Sequence, residues 1–235
     1  MGLYEEFQNI LAWGDIEAKG RVKARRVSAD IFEHFNIIRF GDVPGGNYSE
    51  FEANGVLAMY GTARVWDDIL IPAMILRAGA PAPDIIPVLP APSNVRGWGF
   101  DGGVTTEMLE GGQEMTHDYV QGTDIVPHVH WSPTDNGGGN VKWQLEISWT
   151  NDGAVSLAPT TISSVQATGG AAWRHNRADF PALVGAGKLI GSYLDFRIFR
   201  DPTDAQDTYG SDAWLRGIGF HYQKDTLGSR NMVTK

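Results

Sequence analysis

The run Gly122-Thr-Asp-Ile-Val-Pro-His128-Val-His130-Trp131 holds two histidines one residue apart. On an extended strand, alternate side chains share a face, so the two imidazoles would stand about 7 Å apart. They could offer two nitrogen ligands to one metal ion. Without a metal, the same pair reads as two histidines packed or hydrogen-bonded on a sheet face beside Trp131. His221 or Glu146 could complete a ligand set, and the nearest carboxylate after the pair, Asp135, stands in a Gly/Asn-rich turn. Carboxylates also pair at Asp67-Asp68, and Asp201, Asp204, Asp207 and Asp212 cluster in a Pro/Thr/Gly-containing stretch. That stretch lacks the central glycine and terminal glutamate of a calcium-binding EF-hand, so it reads as a polar surface loop. The sequence contains no Gly-x-Ser-x-Gly elbow, no phosphate-binding loop and no dinucleotide-binding glycine fingerprint. It has no cysteine, which removes disulfides, thiolate metal sites and a cysteine nucleophile.

The Gly-x5-His-x-His spacing resembles the first motif of the cupin family, double-stranded β-helix barrels that bind a metal through two histidines, a carboxylate and a further histidine. That resemblance spans about ten residues. The glutamate the family carries three or four residues after the second histidine is missing here, and no second cupin motif follows.

The elements that must position these residues are strands. The chain has 235 residues, with 29 glycines and 12 prolines, 42% apolar content and 20% charged residues. This composition excludes an all-helical bundle and global disorder, and the length suffices for one sizeable core. The segment 142–149 alternates strictly, with Trp143, Leu145, Ile147 and Trp149 on one face, and 193–200 alternates in part, with charges at Asp195, Arg197 and Arg200. Further strands are expected at 125–131, 160–167, 171–180 and 214–223, and one at 56–66 interrupted by Gly61. Turn-forming clusters separate them, and the expected fold is all-β, a jelly-roll or β-sandwich body. Pro81, Pro83, Pro87, Pro90 and Pro92 force an extended course on the segment before that body. The apolar Ile85, Ile86, Val88 and Leu89 favour a strap lying on the body over a solvated linker. The expected organisation is an arm over 1–55, an extended strap over 56–96 and a jelly-roll body over 97–235.

The arm differs from the body in charge. Residues 1–40 balance to zero, and the rest of the chain carries the whole net charge of −9. Leu3, Phe7, Ile10 and Leu11 have the spacing of a short amphipathic helix ending at Gly14, whose apolar side needs a partner. Lys19, Arg21, Lys23, Arg25 and Arg26 follow as a basic tether without interleaved aromatics. The tether reads as a solvated charge run or as an arm docking on an acidic protein surface, and nucleic acid is not expected as a partner. The longest uncharged apolar run, 69–76, is far too short to span a bilayer, and the acidic N-terminus is unlike a signal peptide. No membrane partner is expected, and synthesis in the cytoplasm is.

Four segments read together resemble a family of tailed-bacteriophage virion structural proteins. They are Thr62-Ala-Arg-Val-Trp66-Asp67-Asp68-Ile69, the 122–131 run, Phe199-Arg-Asp-Pro-Thr-Asp-Ala-Gln-Asp-Thr-Tyr209 and Gly219-Phe-His-Tyr-Gln-Lys-Asp-Thr-Leu-Gly-Ser-Arg230. The resemblance covers about 62–235, and the last segment is its most specific part. It implies a homotrimer of jelly rolls in the virion and supplies no catalytic residues. With the arm, it leads to the expectation of a capsid decoration (cement) protein on the particle surface. Its partners would be itself and the major capsid protein, contacted through Leu3, Phe7, Ile10, Leu11, Lys19, Arg21, Lys23, Arg25 and Arg26. On this reading the protein is not an enzyme and has no cofactor; the weak metal candidates are His128, His130 and His221. A fibre-type receptor-binding protein is the alternative, for which Trp98, Trp173 and Trp214 would cluster at an exposed loop end. A cupin-like metalloenzyme is the remote third.

Overall fold

The computed structural model describes residues 38–52, 55–103 and 105–232. The expected amphipathic segment 3–13 and the basic tether 19–26 lie outside the described residues. The described elements are all strands apart from two single 3-10 turns at 61–63 and 73–75. β1 (Ile38–Asp42), β2 (Asn47–Phe51) and β3 (Leu57–Met59) form a small antiparallel sheet. β4 (Val65–Pro72), β5 (Arg77–Ala78) and β6 (Asp84–Pro87) follow. The main sequence of strands is β7 (Arg96–Phe100), β8 (Met108–Glu114), β9 (Val126–Pro133), β10 (Asn140–Thr150), β11 (Thr160–Ala167), β12 (Asn176–Asp179), β13 (Tyr193–Arg200) and β14 (Ala213–Lys224).

Two antiparallel sheets build the body. One runs β11-β10-β13-β8-β5 and the other β12-β9-β14-β7-β6, with β4 also paired to β14. Following β7 to β14 along the chain, every connection passes to the opposite sheet except the β10–β11 hairpin. Eight strands wound in this order make a jelly roll. The strict alternation expected in β10 is observed, with Val141, Trp143, Leu145, Ile147 and Trp149 all buried. They meet Phe100, Val129, Trp131, Leu215, Ile218 and Phe220 from the facing sheet. Trp143 packs edge-on to both Phe100 and Trp131, at centroid distances of 5.2 and 6.1 Å. The β11 and β13 boundaries match the expected spans. β12 is shorter than expected, and β8, whose Gly111-Gly112 masks its pattern, was not singled out. The proline-rich segment runs along the sheet as edge strand β6 on β7, where the absent proline N–H costs no ladder bond. Val88 beyond it is fully buried.

Two features depart from simple alternation. β14 carries a bulge between Leu215 and Gly217, so its inward residues change from Ala213 and Leu215 to Ile218, Phe220 and Tyr222. A bulge inserts one unpaired residue and reverses the parity of everything after it. The second is Arg200, expected as one of the charges of β13 and found completely buried. Its Nε and Nη2 donate to the two carboxylate oxygens of Asp207 at 2.9 and 2.7 Å. Its Nη1 donates to the carbonyls of Phe100 (3.1 Å) and Ser211 (2.7 Å), and Nη2 also donates to the Tyr209 carbonyl. The reading of 201–212 as a polar surface loop therefore needs correction at Asp207, whose side chain is as buried as that of Arg200. The neighbouring carboxylates are engaged too: Asp204 binds Lys142 at 2.5 Å and Asp201 accepts from Gln144 at 3.1 Å.

Removing one partner of a buried ion pair strands the other charge and typically costs about 3–5 kcal/mol. Asp207→Ala is therefore expected to lower the urea midpoint strongly, while Asp204→Ala, at the surface, leaves it almost unchanged. Equal effects from the two variants would contradict the central role of the Arg200–Asp207 pair.

Candidate functional site

The outward face of the sheet β12-β9-β14-β4 collects the chemistry. On β9, Val129 and Trp131 turn into the core, so His128 and His130 face outward. Antiparallel register sets Gly219 opposite His128 and Gly217 opposite His130 on β14. On the far side of β14, register pairs Asp68 with His221 and Leu70 with Gly219. β12 sets Asp179 opposite His128 and Arg177 opposite His130. Four of the six histidines thus meet here, His128, His130, His175 and His221.

The two Nε2 atoms of His128 and His130 lie 3.1 Å apart, closer than strand spacing alone implies, because the rings turn toward each other at a centroid distance of 4.9 Å. His130 Nδ1 is 2.8 Å from His175 Nε2. The His221 ring lies 4.2 Å from that of His128, tilted by 34°. Asp68 Oδ2 reaches to 3.5 Å from His128 Nε2. That approach depends on Gly219: a Cβ there would stand 2.5 Å from His128 Cε1 and Nε2 and 2.9 Å from Asp68 Oδ1. Asp68, His128 and His130 bring one ligand atom each within 4.8 Å of one another, the one such grouping of three among the described residues.

Burial, offset in part by Asp68, pushes the His128 pKa down to about 4, and His221 and His130 push in the same direction as burial. The pKa of His130 is also lowered, first by burial and then by His175. At neutral pH both rings are uncharged, so His128 and Asp68 do not form an ion pair. A consistent arrangement has His128 Nε2–H donating to His130 Nε2 and His130 Nδ1–H donating to His175 Nε2. It leaves His128 Nδ1, which is buried without a hydrogen-bond partner, as a bare acceptor.

The sequence identified His128, His130 and His221 as neighbours in function, and the fold brings them together. It does not bring in the carboxylates named with them. Asp135 accepts from Tyr209 (2.9 Å) and Ser211 (2.5 Å) in its own turn. Glu146 lies on the other sheet, bound to Arg197 at 2.7 Å. The carboxylate in the cluster is Asp68, sixty residues before His128, and nothing local in the sequence marks it as their partner. The cluster also lies outside the sandwich, and its donor set differs from the one the cupin-like spacing implies.

Beside the histidines runs an apolar strip. Trp66 (56% exposed) and Leu70 (54%) flank Asp68 on β4, Met74 and Ile75 (73%) follow in the turn after it, and Val65 is exposed on the other side of the strand. Trp98, Trp173 and Trp214 are each half-buried, and Arg216 lies over the Trp214 ring at 3.9 Å. Among the described residues, the tryptophan offered to solvent is Trp66.

The chain matches no protein-family profile and no curated protein sequence. Among solved structures it is similar to a CBM36 domain of a multidomain xylanase from the hindgut metagenome of Trinervitermes trinervoides. The identity is 11% and the TM-score 0.36, over 66% of this chain and 96% of that one. It is also similar to the CBM22-1–GH10 modules of Clostridium thermocellum xylanase 10B, at 10% identity and a TM-score of 0.32, over 71% of this chain and 27% of that one. A third similarity is to infectious bursal disease virus, Gx strain, at 9% identity and a TM-score of 0.32, over 73% of this chain and 39% of that one. At such identities and scores, function must be read from this chain's own residues.

A histidine whose pKa is lower in the folded than in the unfolded state stabilises the fold while it is neutral. That contribution is complete above the unfolded value of about 6.5 and is lost as pH falls toward the folded value. For His128, folded near pH 4, metal-free protein should lose about 3 kcal/mol between pH 6.5 and 4, and His130 shifts stability in the same direction. Urea midpoints across that range test this, and a profile equally steep in His128→Asn would show that the loss arises elsewhere.

Proposed function

We propose that this protein is a structural subunit of a virus particle, specifically a capsid decoration (cement) protein that assembles as a homotrimer on the surface of the shell. The observation that carries the reading is the exposed apolar group Trp66 and Leu70 on one face of β4 with Met74 and Ile75 in the turn after it. Large exposed apolar residues gathered on one short segment mark a surface meant to be covered. An isologous or cyclic contact between copies covers it with no further component. The body is an antiparallel sandwich with a net negative charge, and its resemblance over 62–235 to tailed-phage virion proteins supports the same role. In this reading the major capsid protein is the second partner, reached through Leu3, Phe7, Ile10, Leu11 and the basic residues Lys19, Arg21, Lys23, Arg25 and Arg26. The role requires no catalysis, and the mature protein resides in the virion after synthesis in the host cytoplasm.

Two measurements test it. In purified particles, quantitative mass spectrometry should find this chain in copy numbers comparable to the major shell subunit; absence or trace amounts would overturn the assignment. In solution, sedimentation should show a trimer that the double change Leu70→Asp and Ile75→Asp converts to a folded monomer. A wild-type monomer at micromolar concentration would remove the trimer from the proposal.

A further inference from the structure

We infer that Asp68 Oδ2, His128 Nε2 and His130 Nε2 form a binding site for one divalent transition-metal ion of the zinc type, which ties the edge strand β4 to β9 across Gly219. Two ligands about 2.0–2.1 Å from a tetrahedral zinc are separated by about 3.3 Å. The His128–His130 separation of 3.1 Å and the His128–Asp68 separation of 3.5 Å bracket that value, and the third pair, His130 and Asp68, is held within 4.8 Å, a span that rotation of the exposed Asp68 side chain closes. The donor chemistry fits as well: two imidazole nitrogens and one carboxylate are ligands for zinc or iron(II), whereas calcium and magnesium favour all-oxygen sets.

The surroundings are those of a ligand set held in place. His128 is completely buried, so its ring is fixed by packing; ligation replaces its Nε2–H bond to His130 and moves the proton to Nδ1, the buried nitrogen without a partner. His130 is oriented through its other nitrogen by His175, the kind of outer partner that fixes the tautomer of a metal-bound histidine. Gly219 removes the one side chain that would otherwise separate Asp68 from His128. Among the described residues no Lys or Arg side chain is hydrogen-bonded or ion-paired to Asp68, while its neighbour Asp67 is engaged by Lys224 at 2.8 Å. His221 is placed beside His128 but tilted against its face, and so contributes packing in place of a fourth bond. Three protein ligands would leave the fourth position of a tetrahedral ion on the solvent side, where Asp68 and His130 are accessible.

The consequence is mechanical. Among the described residues, β4 is hydrogen-bonded along one edge, to β14, and its outward face carries Trp66 and Leu70. A metal joining Asp68 on β4 to two residues of β9 adds a second attachment that spans β14. Binding should therefore raise thermal stability with the logarithm of metal concentration above the dissociation constant.

The test uses untagged, chelator-stripped, full-length protein titrated with zinc chloride against a chromophoric chelator, with melting temperature followed in parallel. The expected result is one zinc per chain and a higher melting temperature. Asp68→Asn and His130→Ala should each weaken binding at least about tenfold and lose the thermal shift. His117→Ala, a histidine outside the cluster that contacts Ser229, should bind as wild type. Cobalt(II) gives an independent reading, since ligation by the cluster produces visible absorption that the two ligand variants lack. Asp68 is at the surface, so Asp68→Asn remains informative even if a histidine variant fails to fold. Absence of stoichiometric zinc uptake by the wild type, or equal uptake by Asp68→Asn and His130→Ala, would overturn the site. Neither result would bear on the oligomeric state or particle copy number that test the structural role.

Discussion

A guanidinium removed from water must have every N–H satisfied, and the five donors of Arg200 meet five acceptors. Those acceptors come from the end of β7, from Tyr209 and Ser211, and from the Asp207 carboxylate. The single side chain therefore links the last residue of β13 in one sheet, the last residue of β7 in the other, and the loop that carries the chain between sheets into β14. Its satisfaction dictates the course of residues 201–212, which sets where β14 begins. The rest of the second sheet, including its outward face, takes its register from that point. Three of the four aspartates of this loop are spent on this task and on β10: Asp207 on Arg200 and the Lys142 N–H, Asp204 on the Lys142 ammonium and Asp201 on Gln144.

The outward face follows from the register of β14. The bulge after Leu215 reverses parity, so Ile218, Phe220 and Tyr222 point into the core and Gly217, Gly219 and His221 point out. Without it, the alternation established at Ala213 and Leu215 would carry the glycines inward and the large apolar groups to the surface. The two glycines lie between the histidines of β9 and the outward residues of β4, and the His128 ring and Asp68 carboxylate close over Gly219 where a side chain would otherwise stand. A buried imidazole and a surface carboxylate from strands that are not neighbours meet there. The same edge strand that supplies Asp68 presents Trp66 and Leu70, so the polar cluster and the proposed subunit contact share one face.

Much of the architecture was legible because it depends on local periodicity. The buried tryptophans of β10 could be read from their spacing of two, as could the common face of His128 and His130. The turn-rich spacing of the later strands pointed to a sandwich, and the expected jelly-roll winding is what the sheet orders show. β8 carries no legible alternation because its two central glycines give no hydropathy signal, and β12 is shorter than the span 171–180 because the apolar Ala171, Ala172 and Trp173 belong to the loop before it.

Residue type and alternation alone determined that this chain forms an antiparallel β-sandwich, that its core is aromatic, and that two histidines share one face. Only the tertiary structure decided which carboxylate joins them, that Arg200 is buried and that the face carrying the histidines points outward. The physical reason is common to all three. Each depends on which residues of distant strands lie opposite one another, and that register is set by the bulge in β14 and the loop clamped by Arg200. A pairing shifted by one residue would exchange the faces without changing the strand pattern.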